Sequence, residues 1–190
     1  MKKYIFILFI AICGLLSCSR SKRIVTDIPI KTDILGIELC KKMTFGEVQD
    51  VLMRKTDKYF YAQTQKVDNK EHCRFYPMDL NLIYGGLSWT YIDVLATNDS
   101  EVYYLNLVGS YESVERAKQQ YDLAVAIFTK KYGKGNISEN NTFWTDNVNS
   151  VGLTYKESSS LNGSDRSFCS LYYINIELDD KVNVDAQLDI

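Results

Sequence analysis

The 190-residue sequence has few of the groups that most enzymes and nucleic-acid-binding proteins need. It contains a single histidine, His72, so the commonest general base and the usual partner of a serine or cysteine nucleophile are scarce. Its 22 basic residues are outnumbered by 24 acidic ones and form no basic stripe, so no nucleic-acid partner is expected. None of its glycine-containing segments fits a phosphate-binding loop, and no serine lies in a nucleophile elbow. The sequence therefore predicts neither an enzyme nor a bound cofactor.

The N-terminus lacks a hydrophobic run long enough to span a membrane. Lys2 and Lys3 precede thirteen uncharged residues, Tyr4 to Leu16, in the order of an export signal. A membrane-spanning helix takes about 20 apolar residues. The segment ends in Leu15-Leu16-Ser17-Cys18, which resembles the lipobox of bacterial lipoproteins. The alternative is a conventional signal-peptidase site beside an ordinary cysteine.

The lipobox resemblance implies how the mature protein is attached. In that family the cysteine thiol receives diacylglycerol, the signal is cleaved before it, and the new amino group is acylated, for example with palmitate. The resemblance implies removal of residues 1–17 and lipid attachment at Cys18, and two or three acyl chains anchor a protein durably where one does not. Ser19 stands where an Asp often retains lipoproteins in the inner membrane. The resemblance therefore implies the outer membrane, with the domain facing the periplasm.

Three cysteines, Cys40, Cys73 and Cys169, remain once Cys13 leaves with the signal and Cys18 carries lipid. An exported protein lies in a compartment that permits disulfides, and three thiols form at most one pair. Cys73 and Cys169 are the candidate pair because both lie in strand-like segments, and closing that loop would stabilise the fold by ~3–4 kcal/mol. Buried free thiols are the alternative. No Cys or His spacing indicates a metal site.

The mature chain divides into a tether, a domain and a tail. The lipobox resemblance assigns a lipid to Cys18, and the polar and basic composition of the residues after it, as far as residue 33, predicts a flexible tether. Residues 34–180 are predicted to form the folded domain, and residues 181–190 an acidic tail. Removing Lys2 and Lys3 from the 22 basic residues leaves 20 against 24 acidic ones, so the mature formal charge is −4.

Two helices are indicated in the domain. Thr44-Phe45-Gly46-Glu47 is a capping box, and apolar residues then recur at helical spacing, which predicts a helix over residues 44–55. A longer helix is predicted from a cap at Ser113 to Gly133. Its core stripe consists of Val114, Ala117, Tyr121, Ala124 and Phe128, and Leu123 and Ile127 are expected to widen the apolar face.

The remaining apolar runs are strand-like and are separated by turn residues. They cover residues 59–63, 72–76, 82–84, 89–96, 102–108, 142–145, 151–155 and 168–178. The order predicts an α+β fold, with short helices packed on one face of an antiparallel sheet. The halves 34–109 and 110–180 each open with a helix, and each contains a Trp-Thr pair, at Trp89 and Trp144. Two helix-then-strands repeats are therefore a hypothesis.

The pattern of elements from Ile34 to Leu178 resembles two groups of small envelope modules. These are the lipoproteins of the BamE (SmpA/OmlA) kind and tandem modules of the β-lactamase-inhibitor type. Thr44-Phe45-Gly46-Glu47-Val48 is similar to the segment that opens their first helix. The resemblance implies short helices laid on antiparallel sheets.

Aromatic residues give the main functional hypothesis. The 14 tyrosines fit a pleated sheet, and tyrosine is also enriched at interfaces. Several aromatic strand residues on an uncovered sheet face would form a binding patch, with core packing as the alternative. The candidates are Trp89, Tyr91, Tyr103, Trp144, Tyr155 and Tyr172.

These observations favour a non-enzymatic binding or assembly module, bound to the membrane through its N-terminal lipid. Its partner is expected to be an envelope protein or a glycan, contacted through the sheet face or the loop at 157–167. Two alternatives stay open, namely an inhibitor of a periplasmic hydrolase and an enzyme of unknown reaction.

Overall fold

The computed structural model describes residues 23–67, 70–79, 81–157 and 166–188. This part of the chain is α+β, with three helices and a large antiparallel sheet of eight strands. The first half contains β1 (Asp33–Ile34), β2 (Ile37–Glu38), α1 (Phe45–Thr56), β3 (Phe60–Val67), β4 (Lys70–Pro77), β5 (Leu82–Tyr84), β6 (Leu87–Trp89), β7 (Tyr91–Ala96) and β8 (Val102–Tyr111). The second half contains α2 (Val114–Tyr132), β9 (Asn136–Ser138), β10 (Asn141–Thr145), β11 (Asn149–Glu157), β12 (Ser167–Asn175) and α3 (Ile176–Leu188).

The eight-stranded sheet has the order β3-β4-β7-β8-β12-β11-β10-β9, and two small hairpins, β1-β2 and β5-β6, lie outside it. In chain order, α1 precedes the four sheet strands β3, β4, β7 and β8, and α2 precedes β9 to β12. The two groups of strands meet where β8 pairs with β12. The two Trp-Thr pairs occupy different settings, because Trp89 ends the separate hairpin and Trp144 lies within the sheet.

Alternate side chains of a strand point to opposite faces, so the register defines two faces of the sheet. One row of register partners consists of Cys73, Val94, Leu105, Tyr173 and Val151, all buried. We call the face carrying this row the core face. The next row consists of Arg74, Asp93, Asn106, Tyr172 and Gly152. We call the face carrying it the cleft face.

Helix α1 begins as the capping box predicts. The backbone N–H of Glu47 donates to Thr44 Oγ1 over 3.3 Å, and the Glu47 carboxylate accepts from the Thr44 N–H over 2.8 Å. These bonds satisfy two of the backbone donors that a helix start leaves free. The helix buries Val48 and Leu52. The ring of Phe45 meets that of Phe75, a core-face residue, edge-on.

Helix α2 begins after the Ser113 cap, and Ala117, Tyr121, Ala124 and Phe128 of the predicted stripe are buried. Phe128 packs against the rings of Trp144 and Tyr173. The expectation that Leu123 and Ile127 widen the apolar face is wrong, because their exposed fractions are 54% and 37%. Only the central stripe of the helix faces the sheet.

The segment from Ile24 to Ile30 lies on the folded body, although the sequence analysis assigned it to the flexible tether. The Thr26 N–H donates to the Thr145 carbonyl over 2.8 Å, and the Ile30 N–H donates to Asp146 Oδ2 over 2.7 Å. The side chain of Ile30 is buried. This burial was not apparent in the sequence, because the residues that hold the segment lie more than 100 positions away.

The C-terminal end also differs from the prediction. Strand β12 stops at Asn175, and residues predicted as the strand end and acidic tail form α3 as far as Leu188. The side chain of Asn175 accepts from the Leu178 N–H over 3.0 Å and so satisfies a donor at the helix start. Asn175 also donates to Asn149 Oδ1 over 3.1 Å, which ties this turn to β11.

The predicted Cys73–Cys169 disulfide is absent, and both thiols are buried and free. The two residues lie on β4 and β12, with β7 and β8 between them. Three strand spacings of about 4.8 Å exceed the roughly 7 Å that a disulfide can bridge between Cα atoms. Cys40 is also free and is exposed.

Among the described residues, none of the helices has the length and apolar character needed to cross a bilayer.

Candidate functional site

A cleft of about 290 Å³ opens on the cleft face, above strands β7, β8, β12 and β11. It exists because Val108, Ser170 and Thr154, which are register partners across β8, β12 and β11, have small side chains. Tyr91 on β7 pairs with Val108 and closes this row at one end. The flanking rows carry the larger Tyr172 and Phe168. Short side chains between longer ones leave an open trough.

The cleft combines aromatic and polar side chains. Its aromatic members are Tyr91, Tyr104, Phe168 and Tyr172, and its polar members are Asn106, Thr154, Lys156 and Ser170. Lys156 is exposed, whereas the others are at least partly buried. Concave surfaces that mix aromatic rings with a few polar groups are typical of ligand sites.

Asn106 is the unusual member of this group. Its Oδ1 atom is buried and has no hydrogen-bond partner among the described residues. Buried polar atoms are nearly always paired, and leaving one unpaired costs about 1–3 kcal/mol. Asn106 lies between Asp93 and Tyr172 in the register, inside the cleft. A ligand that brings an N–H or O–H donor would remove this cost.

Tyr172 is held in a fixed position at the side of the cleft. Its hydroxyl donates to Asn141 Oδ1 over 3.2 Å, and its ring stacks on that of Tyr104 with centroids 6.3 Å apart. The ring lies above Gly152, where any side chain would collide with it. Burial raises the pKa of both tyrosines, so their phenols stay neutral at ordinary pH.

A charged cluster adjoins the cleft on β4 and β7. The guanidinium of Arg74 binds both oxygens of Asp93, over 2.6 and 3.2 Å, and His72 Nε2 lies 3.0 Å from Asp93 Oδ1. Burial would raise the pKa of Asp93, but the hydrogen bonds from His72 and Arg74 and the charge of Arg74 hold it below its ordinary value. The carboxylate is therefore charged and paired.

This charged cluster holds the ring of Tyr91, which forms one side of the cleft. The Arg74 Cζ atom lies 4.2 Å from the centroid of the Tyr91 ring, a cation–π contact. The centroid of the Tyr76 ring lies 5.5 Å from that of Tyr91 and 6.4 Å from that of Tyr61. The aromatic surface thus continues from the cleft to strand β3.

The predicted binding residues separate into two groups. Tyr91 and Tyr172 line the cleft. Trp89, Tyr103 and Trp144 are buried, and the indole N–H groups of the two tryptophans donate to the carbonyls of Tyr84 and Gly133. Tyr155 packs 5.0 Å from the ring of Tyr121 on α2. Cys18, the predicted site of lipid attachment, and most of the loop at 157–167 lie outside the described residues.

The sequence analysis missed Tyr104, Asn106 and Phe168 as members of the cleft. Tyr104 and Asn106 alternate with buried Leu105 and Leu107 along β8, and Phe168 alternates with Cys169 and Leu171 along β12. This period of two was visible in the sequence. Choosing residues by aromatic character alone mixed the two faces.

A second, more open depression lies at the start of α2. It is lined by Tyr111, Arg116, Gln119, Gln120 and Leu123. The Gln120 Nε2 atom is buried without a partner among the described residues. No group of three or more His, Cys, Asp or Glu within the described ranges is arranged to hold a metal ion.

No family model matches the chain, and neither the curated proteins nor the solved structures include a match to it.

Proposed function

We propose that the protein is a lipid-anchored binding module of the bacterial envelope, which holds a protein or glycan partner on its cleft face. The lipobox-like segment Leu15-Leu16-Ser17-Cys18 supports the anchor. The serine after Cys18 favours an outer-membrane location facing the periplasm. In this proposal short helices cover the core face, as the ring contacts of Phe45 with Phe75 and of Phe128 with Tyr173 suggest, and leave the cleft face for the partner.

The unpaired Oδ1 of Asn106 is the observation that carries the proposal. It lies in a cleft whose aromatic members offer flat apolar surface and whose Ser170 and Thr154 offer hydroxyl groups. An amide of a peptide or a hydroxyl of a sugar can donate to this oxygen while an apolar part of the ligand contacts the rings. Buried aromatic anchors beside a few polar groups are what binding hot spots require.

Binding is favoured over catalysis because the reactive groups are engaged elsewhere. His72 and Asp93 are bonded to each other, and Asp93 also to Arg74. Cys169 lies buried on the core side, where burial raises the pKa of its thiol to about 12. A thiol of that pKa is almost entirely protonated at neutral pH and is a poor nucleophile.

Site-specific photo-crosslinking in intact cells tests the cleft. A photoreactive phenylalanine analogue at Phe168 should give a discrete adduct, and the same analogue at exposed Ala126 on α2, which lines neither depression, should not. Asn106→Leu should abolish the Phe168 adduct while leaving the free energy of unfolding unchanged or slightly higher, because it removes an unpaired polar atom. Equal adducts from both positions, or an adduct that survives Asn106→Leu, would contradict the proposal.

The anchor is tested separately with Cys18→Ala. We expect loss of lipid incorporation and a protein that keeps its precursor length, since cleavage in this family follows lipid attachment. Mass spectrometry of the wild-type N-terminus should show the acylated cysteine. An unmodified mature N-terminus would refute the anchor without bearing on the cleft.

A further inference from the structure

We propose that one edge of the fold, formed by residues 24–28, strand β9 and the last turn of α2, rests on an anionic bilayer surface. We call it the basal edge. The proposal goes beyond the cleft and rests on the anchoring part of the proposed function, because the lipid brings this edge to the membrane.

The basal edge exposes large aliphatic side chains. The exposed fractions are 43% for Ile24, 43% for Val25, 45% for Ile28 and 72% for Ile137. Aliphatic side chains exposed singly are ordinary, but several within one edge mark an interaction surface. All four are aliphatic side chains, which can be buried among lipid headgroups.

Hydrogen bonds join the three segments of this edge. The Ile24 N–H donates to Asn136 Oδ1 over 2.7 Å, and Asn136 Nδ2 donates back to the Ile24 carbonyl over 2.8 Å. Thr26 Oγ1 donates to the Tyr132 carbonyl over 3.0 Å at the end of α2. These hydrogen bonds therefore hold residues 24–28 and β9 in fixed positions relative to each other.

The charges of the basal edge suit anionic headgroups. Lys130 and Lys131 are exposed in the last turn of α2, Arg23 and Lys134 are exposed beside the edge, and Lys131 Nζ lies 4.6 Å from the centroid of the Tyr132 ring. The acidic residues in and directly beside the same segments are Asp27 and Glu139, both exposed. Basic groups thus exceed acidic ones at this edge, although the mature chain as a whole is acidic. Each lysine or arginine near an anionic surface adds attraction.

Chain length favours this edge over the opposite edge of the sheet. Cys18 is six residues before Ile24, and six extended residues span at most about 20–22 Å. The opposite sheet edge, β3, also exposes an aromatic residue, Tyr61, but lies seven strand spacings from β9, about 33 Å. A lipid on Cys18 therefore holds the basal edge near the headgroups and leaves β3 free.

Fluorescence quenching in vesicles tests this arrangement with the full, lipidated protein. A fluorescent label is attached at Ile137→Cys or, as a matched control on the opposite edge, at Gln63→Cys. Both variants carry Cys40→Ser, because Cys40 is the exposed thiol, whereas Cys73 and Cys169 are buried. The proteins are placed in vesicles of phosphatidylethanolamine and phosphatidylglycerol that contain a lipid with a nitroxide on its upper acyl chain.

We expect strong quenching of the label at position 137 and none at position 63. Replacing both Lys131 and Lys134 by Glu should lower the ratio of docked to free protein. We expect a decrease of at least about fivefold for each lysine replaced. Equal quenching at the two positions in protein that floats with the vesicles would overturn the docking. Self-quenching at position 137 that depends on protein concentration would also overturn it, in favour of a second copy of the chain. Protein that fails to float would instead refute the anchor.

Discussion

The ring of Tyr172 lies directly over Gly152, in the space that a side chain on β11 would fill. These two residues are register partners on neighbouring strands of the cleft face. Because Gly152 on β11 has no side chain, the Tyr172 ring on β12 can occupy this position. The side of the cleft depends on this pair.

Replacing Gly152 by Ala should displace Tyr172 and destabilise the fold. The added methyl group overlaps the Tyr172 ring, and over-packing of this kind costs about 1–3 kcal/mol. Urea unfolding should show a lower midpoint. Gly46→Ala is the matched control, because no atom lies closer than Thr44 Oγ1 at 4.0 Å, and it should be neutral or slightly stabilising. A Gly152→Ala protein as stable as the wild type would contradict the packing described.

The Asp93 carboxylate should make stability depend on acid pH. Its pKa is lowered in the folded protein, so its contribution is present above the ordinary value of 3.8 and is lost as the pH falls through the lower folded value. Urea unfolding at pH 6 and at pH 3 should show a larger loss for the wild type than for Asp93→Asn, which cannot titrate. The same loss in both proteins would show that other carboxylates are responsible.

Thiol chemistry should distinguish Cys40 from Cys73 and Cys169. In the native protein only the exposed Cys40 should react with a thiol reagent among these three, and Cys40→Ser should abolish the reaction. The reaction should be slow at neutral pH and accelerate above about pH 9, because partial desolvation of the thiol and the charge of nearby Glu101 raise the pKa of Cys40 above its ordinary 9.0. Denaturation should release all three thiols. A Cys73–Cys169 cross-link found by mass spectrometry would contradict the structure.

The N-terminal segment should contribute to stability through Ile30. Ile30→Ala removes a buried side chain and should cost about 2–5 kcal/mol. Ile28→Ala, two residues earlier and 45% exposed, should change the free energy of unfolding by no more than about 0.5 kcal/mol. Equal effects of the two variants in urea unfolding would show that this segment is the flexible tether predicted from the sequence.

Local signals were enough to predict the α+β class and both main helices. The capping box at Thr44 and the cap at Ser113 act within a few residues, so they can be read without the fold. Each of the eight strand-like runs overlaps a strand, because alternation is a local property, but the run 89–96 covers the end of β6 together with β7, and residues 176–178 of the last run belong to α3. The face of the sheet that each aromatic residue occupies depends on register and could not be read from residue type.

Long-range contacts explain most of the differences. Residues 24–30 look like a tether until their partners at 132–146 are known, and these are more than 100 residues away. The acidic end of the chain resembled a tail because the turn at Asn175, which starts α3, is fixed by Asn149 on another strand. The cleft arises from small residues on three strands that the register brings together.

The bonds from Ile24, Thr26 and Ile30 to residues 132–146 join parts of the chain that are more than 100 residues apart. In a chain synthesised from its N-terminus, these residues have none of these hydrogen-bond partners until residues 132–146 have followed. Contacts of such high sequence separation form late and slow the folding rate. Under the proposed lipid anchor, such a delay would keep the N-terminal end loose during lipid attachment and would fasten it to the domain only afterwards.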